Sequence, residues 1–399
     1  MVELTFKDIQ LAQRILKGQV KRTPLIRSAT FSKMAGCEVF IKYENLQKGG
    51  SFKIRGAYNK IAHLEEGKRQ RGVVAASTGN HAQGVALAAS LFKIPAKIVM
   101  PKGAPIPKVE ATKRYGATVE LFGANFEEAF SKAKELEIQE GLTLIHAFDD
   151  PYIAAGQGTI GLEILEDLSD VDVVVVPIGG GGLIAGIATG IKAQKPDCRI
   201  IGVQSKEMDA AFQSFKNRAL IKAGRGYTIA DGIAIKSPSE FTFSIIQSRV
   251  DNVVTVDEEE IARSILLLLE RCKSVVEGAG AVPLAALLYR QIAKERKKVV
   301  LVVSGGNIDI TMLDRIITQG LTKAGRYQEF RILLEEIPGK LEHLLRMVSE
   351  LEARVIDMNL DRYAIGLPFN HVAVDLTLET KSKQHSEQIL EELTKYYKI

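Results

Sequence analysis

Six short runs of mostly apolar, β-branched residues determine which fold this chain can adopt. They lie at residues 73–76, 96–100, 118–122, 171–176, 199–203 and 299–303, and stretches with helical periodicity separate them. A strand that is apolar on both faces is typical of a parallel sheet covered by helices. The pattern therefore predicts an α/β architecture. The two groups of runs, before and after about residue 150, predict two sheets with a cleft between them.

A different pattern begins after roughly residue 320. Leucine and valine recur at helical spacing between residues 341 and 351, whereas residues 372–378 alternate between apolar and polar side chains, as in a half-solvated strand. Candidate strands at 328–335 and 354–360 and a helix near 382–395 complete the set. The resulting order, βαββα with room for a last short strand, is the ferredoxin-like order.

The length of 399 residues also favours more than one compact unit. We expect a first domain over residues 1–322, with a smaller subdomain at about 45–150 inserted in a larger one. A second domain is expected over residues 328–399, after a linker-like stretch. The predicted fold class is α/β with a small C-terminal α+β domain.

Composition narrows the function classes. Charged residues make up 25% of the chain and the net charge is +5, with basic residues in short isolated runs, so we expect no nucleic-acid partner. No run approaches the roughly 18 apolar residues of a membrane span, and the first residues lack a charged-then-apolar leader. The three cysteines and six histidines are scattered, which predicts a cytoplasmic protein with no metal site and no membrane partner.

Four consecutive glycines, Gly179, Gly180, Gly181 and Gly182, follow a predicted buried strand and precede Leu183 and a helical run. Such a turn lets successive backbone N–H groups converge on one anion, and the N-terminus of the helix adds partial positive charge. A flexible turn with glycines for tight packing is the alternative. Because four glycines in a row are costly in chain entropy, we predict a phosphate site.

The neighbours of this turn limit which phosphate compound it binds. Gly180, Gly182 and Ala185 fit a relaxed dinucleotide spacing, and Asp197 lies near the distance expected for a ribose-binding acid. In a dinucleotide fold, however, that acid ends the second strand, whereas Asp197 precedes a strand here. No Walker lysine follows the glycines either, so a small monophosphate cofactor remains.

Lys53 lies between apolar neighbours in the segment 50–57. Most lysines are solvated surface charges, but apolar surroundings depress the pKa of an amine and so supply the neutral form that condenses with an aldehyde. A phosphate loop combined with such a lysine suggests pyridoxal phosphate.

Two more segments follow predicted strands at the edge where α/β sheets present functional groups. The first segment begins a helix and consists of Ser77, Thr78, Gly79, Asn80 and His81. Its backbone N–H groups are candidates for binding a substrate carboxylate, and the Asn80 side chain is a candidate for contacting a ring oxygen of the cofactor. A helix cap is the alternative interpretation. The second segment begins with Ser304 and continues through two glycines to asparagine, for which a simple turn is the alternative.

Four segments, SFKIRGA (51–57), STGNHAQG (77–84), GGGGLIAG (179–186) and SGGN (304–307), together resemble the threonine ammonia-lyase (threonine dehydratase) family. These are fold-type II pyridoxal-phosphate enzymes with a fold like that of the tryptophan synthase β subunit. The resemblance covers about residues 5–320. The C-terminal region resembles an ACT regulatory domain, with Ile337-Pro338-Gly339-Lys340-Leu341 after its first strand.

The resemblance implies a role for each candidate residue. Lys53 would carry the covalent link to the cofactor and act as the catalytic base, with Phe52 packed beside the cofactor ring. Asn80 would contact the 3-hydroxyl, and Gly179 to Leu183 would bind the phosphate. Ser304 would face the pyridine nitrogen as the second catalytic residue.

The implied reaction is β-elimination from L-threonine to 2-oxobutanoate and ammonia, and from L-serine to pyruvate. The ACT-like domain implies allosteric regulation, with isoleucine or valine as candidate effector and a place in isoleucine biosynthesis. Because ACT domains pair side by side, we also expect a homodimer or homotetramer.

Serine racemase, which also dehydrates serine, is an alternative within the same fold. A racemase needs a second acid–base hydroxyl in the asparagine loop, where Thr78 stands here, and Gln204 and Ala210 occupy positions of its metal-binding carboxylates. A noncatalytic amino-acid sensor is the alternative from another class, and Lys53 argues against it.

Overall fold

The computed structural model describes residues 3–222, 224, 226–290, 292 and 298–399. By its contacts the chain forms two compact units, Met1–Ile308 and Asp309–Ile399. The strands are β1 (Leu25–Arg27), β2 (Glu38–Tyr43), β3 (Val73–Ala76), β4 (Ala96–Met100), β5 (Thr118–Leu121), β6 (Thr143–Leu144), β7 (Val173–Pro177), β8 (Arg199–Ser205), β9 (Asn252–Val256), β10 (Lys298–Val303), β11 (Tyr327–Glu335), β12 (Arg354–Asp361) and β13 (His371–Glu379). The helices are α1 (Phe6–Leu16), α2 (Ala29–Ala35), α3 (Lys53–Ala62), α4 (Glu66–Arg71), α5 (Asn80–Phe92), α6 (Ile106–Arg114), α7 (Phe126–Glu140), α8 (Pro151–Asp167), α9 (Gly182–Gln194), α10 (Ala210–Asn217), α11 (Glu240–Arg249), α12 (Glu258–Cys272), α13 (Gly278–Tyr289), α14 (Ile310–Lys323), α15 (Lys340–Glu350) and α16 (Lys383–Thr394).

The first unit contains two sheets. The larger has the strand order β1-β2-β10-β7-β8-β9 and is parallel except for β1, which pairs antiparallel with β2. The smaller has the order β5-β4-β3-β6 and is parallel throughout. The six apolar runs form β3, β4, β5, β7, β8 and β10, which confirms the predicted α/β fold with two parallel sheets.

The helices α8 and α9 lie unusually close together. A Cβ atom at Gly186 would fall 2.1 Å from the carbonyl oxygen of Ala154, so only glycine allows this approach. Most residues of both helices are buried, and the close approach at Gly186 lies one turn after the start of α9 at Gly182. Despite such apolar helices, none that the structure describes is both long and apolar enough to span a bilayer.

The C-terminal unit has an antiparallel sheet in the order β11-β13-β12, with α15 and α16 contributing to its core. A single bridge between Leu333 and Lys398 follows α16. The predicted order βαββα, with its strands and helices, is therefore confirmed. Contacts group α14 with this unit, whereas the sequence prediction ended the first domain at residue 322. The stretch predicted as a linker, residues 319–328, begins inside α14, because this amphipathic helix continues to Lys323.

Four charged side chains form a buried network in the first unit. Lys42 of β2 donates from Nζ to Glu163 Oε2 of α8 at 2.6 Å, and Arg55 of α3 donates to Glu163 Oε1 at 2.6 Å. Arg55 also donates from Nη2 and Nε to the Glu44 carboxylate, at 2.8 Å each. Burial opposes ionisation of Glu44, but the charge and hydrogen bonds of Arg55 outweigh it and lower the pKa of Glu44. The network therefore ties α3 to β2 and α8.

We expect Glu163→Gln to lower the free energy of unfolding by about 3–5 kcal/mol, because it leaves Lys42 and Arg55 with only one buried carboxylate between them. The matched control is Glu166→Gln, on the same helix, where an exposed pair with Arg22 is lost at a cost below about 1 kcal/mol. Urea denaturation of both variants measures the difference. Equal losses would contradict the role assigned to the network.

Candidate active site

Lys53 is the first residue of α3. Its Nζ donates to the carbonyl oxygen of Ala147 at 3.2 Å and lies 5.1 Å from the centre of the Phe52 ring. Desolvation lowers the pKa of Lys53 to about 8, and the negative charge of Glu277 opposes the shift only in part. The side chain is partly exposed, so the amine combines access for a ligand with a substantial neutral fraction near pH 7–8.

Backbone hydrogen bonds hold the start of α3 against the segment after β10. Phe52 donates its N–H to the Ser304 carbonyl at 3.1 Å, and Gly306 donates its N–H to the Gly50 carbonyl at 2.9 Å. Ser304 itself is buried, with 2% of its surface exposed. The structure therefore brings the predicted residues Phe52, Lys53 and Ser304 together.

The four-glycine turn connects β7 to α9 as predicted. Gly181 has a φ angle of +92°, which favours glycine, and its neighbour Gly180 accepts a 2.7 Å hydrogen bond from Thr242 Oγ1. A Cβ at Gly180 would lie 2.2 Å from the Phe148 ring, and the Leu183 side chain is buried in the core of the larger sheet. The turn thus offers backbone N–H groups at a helix N-terminus and no side chain that would block an anion.

Phe148 links this turn to the lysine, and sequence analysis missed it. Its ring packs on Gly180, while the carbonyl of the preceding residue, Ala147, accepts the hydrogen bond from Lys53. The available signal was position, since residues 146–148 follow β6 at the carboxyl end of the smaller sheet.

Asn80, the first residue of α5, makes two side-chain hydrogen bonds. Its Nδ2 donates to Glu277 Oε1 at 2.7 Å, and its Oδ1 accepts from Asn307 Nδ2 at 2.8 Å. Burial raises the pKa of Glu277 to about 7, with the Asp231 charge adding to the shift. The sequence alone assigned no role to Glu277. Its signal was a lone acid within an apolar, glycine-rich stretch.

The predicted substrate loop leads into α5, and no side chain caps the helix at its N-cap, Gly79. Ser77 Oγ accepts from the Gly79 N–H at 3.1 Å within the loop, and Thr78 is partly exposed. The His81 imidazole is buried and bonds through Nε2 to the Ile145 carbonyl at 2.8 Å. Burial and the nearby Lys53 charge lower its pKa to about 3, so the ring is neutral. Only the backbone of His81 is left for the predicted contact with a carboxylate.

These features fit a phosphorylated aldehyde. The amine of Lys53 has the lowered pKa that condensation with an aldehyde requires, and the glycine turn has the backbone form of a phosphate site. The sequence model of the pyridoxal-phosphate dependent enzyme family matches residues 16–305. The chain belongs to this family. The cofactor of this pyridoxal-phosphate dependent enzyme is therefore pyridoxal phosphate, as predicted.

Individual relatives are similar over most of the chain. An L-threonine ammonia-lyase from Thermotoga maritima is 50% identical over 386 residues, which cover 97% of this chain and 96% of the relative. One from Geobacter sulfurreducens is 45% identical over 390 residues, which cover 98% and 97%.

Among solved structures, maize serine racemase matches with a TM-score of 0.76 and 37% identity, covering 81% of this chain and 99% of the racemase. The processed form of threonine deaminase isoform 2 from Solanum lycopersicum matches with a TM-score of 0.75 and 37% identity, covering 78% of this chain and 86% of the deaminase. Both are similar to this pyridoxal-phosphate dependent enzyme in sequence as well as in fold.

Proposed function

We propose that this chain is an L-threonine ammonia-lyase that converts L-threonine to 2-oxobutanoate and ammonia, and L-serine to pyruvate. The observation that carries the proposal is the Lys53 amine, whose pKa is lowered to about 8 beside a segment that packs on the glycine turn. The similarity to the lyase from Thermotoga maritima over 97% of the chain supports the choice of reaction. The three cysteines are unpaired, which suits the reducing cytoplasm.

Each candidate residue has a role in this reaction. When bound, pyridoxal phosphate withdraws electrons from the α-carbon of the amino acid. Lys53 would hold the cofactor covalently and then, freed by the substrate amine, accept the α-proton, for which a pKa of about 8 is suitable. Backbone N–H groups from Gly179 to Leu183 would bind the phosphate, and those of residues 77–81 the substrate carboxylate.

Ser304 would set the strength of this electron withdrawal. Its neutral hydroxyl would not hold a proton on the ring nitrogen as a carboxylate would, so the electron withdrawal that the cofactor supplies would be weaker. Elimination would then be favoured over transamination. Phe52, whose ring lies beside the Lys53 amine, would pack against the cofactor.

Serine racemase is the second candidate, favoured by the fold similarity to the maize enzyme. A racemase requires a hydroxyl base on the other cofactor face, and Thr78 lies in that loop. Gln204 is buried in β8, where its Oε1 accepts from the Phe212 N–H at 2.9 Å, so an amide occupies a position for which the racemase uses a carboxylate. We propose that no divalent ion is required.

The C-terminal unit supports regulation and self-association. It has the ferredoxin-like order, and its edge strand β12 exposes Val355 and Ile356. The loop after β12 exposes Tyr363, Ile365 and Phe369 almost completely. Exposed apolar edges of this kind indicate pairing with another subunit. We therefore propose a catalytic domain over residues 1–322 and an ACT domain over 328–399, assembled as a homodimer or homotetramer that binds isoleucine or valine.

Lys53→Ala is expected to reduce the rate of 2-oxobutanoate and ammonia release from L-threonine by about a thousandfold or more, because the covalent attachment and the base are both lost. The control is Lys33→Ala, at an exposed position on α2, which should leave the rate unchanged. Parallel assays with L-serine measure pyruvate and D-serine. Release of D-serine as the main product would favour the racemase, and no turnover by cofactor-loaded protein would favour the sensor.

Isoleucine is expected to shift the threonine dependence of the initial rate in the full chain, but not in a chain that ends near residue 325. Relatives from Staphylococcus aureus match over 321 residues, which are 79% of this chain and 93% of their own length, and this supports testing a shortened chain. Valine is titrated in the same way. Rate curves that neither amino acid alters in the full chain would refute allosteric regulation by these effectors.

A further inference from the structure

Three side chains from distant parts of the sequence form a hydrogen-bonded chain around Asn80. Asn307 Nδ2 donates to Asn80 Oδ1 at 2.8 Å, and Asn80 Nδ2 donates to Glu277 Oε1 at 2.7 Å. Asn307 Nδ2 donates in addition to the Gly49 carbonyl at 2.8 Å. The amide of Asn80 is therefore oriented from both ends.

The Glu277 carboxyl, at one end of these hydrogen bonds, is closely packed. The carboxyl is buried, and the Asn307 backbone N–H offsets only part of the resulting rise in its pKa. A Cβ at Gly305 would fall 2.3 Å from Glu277 Oε1, so the backbone at Gly305 lies directly against one side of the carboxyl. A carboxylate presents only acceptor oxygens to the Asn80 amide, whereas a glutamine side chain would place N–H donors where one of those oxygens stands.

This arrangement determines what Asn80 can offer to a ligand. A primary amide has two N–H donors and one acceptor oxygen. The oxygen already accepts from Asn307 and one N–H donates to Glu277, so the donor that remains for a ligand is a single N–H. An N–H is what the 3-oxygen of pyridoxal phosphate requires, and the Glu277 carboxylate polarises the donor further.

We propose that Glu277 and Asn307 are positioning residues that fix the Asn80 amide with an N–H towards the bound cofactor. The inference rests on the proposed contact between Asn80 and the cofactor ring. Neither residue touches the reacting atoms, and both act through Asn80. Removing either partner would let the amide rotate and present its oxygen, which repels the acceptor on the ring.

A double-mutant cycle on cofactor affinity tests this coupling. Apoprotein is titrated with pyridoxal phosphate, and the visible absorbance of the bound cofactor gives its dissociation constant and band position. Asn80→Ala and Glu277→Gln are each expected to raise the dissociation constant about tenfold. The double variant should bind no more weakly than the weaker single variant, because Glu277 has no route to the cofactor once Asn80 is gone.

Glu258→Gln is the matched control. Like Glu277, the Glu258 carboxylate accepts a side-chain hydrogen bond, here from Ser205 Oγ at 2.8 Å. It accepts a further bond from the Ile229 N–H at 2.7 Å, and its hydrogen bonds do not involve Asn80. Its variant should leave the dissociation constant and the band position unchanged. A loss of affinity equal to that of Glu277→Gln would overturn the inference, because any hydrogen-bonded carboxylate would then have the same effect.

Other results of the double-mutant cycle would also decide whether the inference holds. If the increases in dissociation constant of the two single variants multiply in the double variant, Glu277 acts independently of Asn80. This result would overturn the inference but leave the proposed function intact. An Asn80→Ala protein that binds as tightly as the unaltered one would remove the proposed ring contact together with the inference, while the lyase assay on Lys53 would stand. Should Glu277→Gln fail to fold, as judged by circular dichroism of the apoprotein, Asn307→Ala replaces it in the same cycle.

Discussion

The arrangement of the candidate active site depends on the hydrogen bonds that join the start of α3 to the segment after β10. Phe52 and Gly50 bond with Ser304 and Gly306, and this holds Lys53 at a position where protein removes its amine from much of the surrounding water. Desolvation then lowers its pKa to about 8. Lys53 therefore differs from a solvated lysine through its surroundings, because burial lowers its pKa and the charge of Glu277 opposes the shift only in part.

The buried charges two residues further along α3 hold the other side of this helix. Arg55 lies between Glu44 and Glu163, and Lys42 shares Glu163, so two cations balance two carboxylates without solvent. Such a network adds little net stability over apolar packing, but it tolerates few alternative positions because each unpaired charge would be costly. We infer that it fixes the orientation from which Lys53 faces the site.

The sequence predicted most of the sheets and the segments at their carboxyl ends, because runs such as Val173–Val176 are apolar on every side. Strand β2 escaped notice because its Lys42 reads as a surface residue until its partner Glu163, on a distant helix, is known. The partners of Asn80 escaped for a similar reason. Glu277 and Asn307 are distant in sequence, and only the fold brings them to one amide. The roles of the individual site residues stay predictions.

The central claim is that Lys53 is the amine that binds pyridoxal phosphate. Its most direct test is to load the protein with the cofactor, reduce the covalent link with borohydride, digest the product and locate the label by mass spectrometry. The account predicts the pyridoxyl group on the peptide that contains Lys53. A label on another lysine such as Lys42 or Lys60, or unlabelled protein, would contradict it.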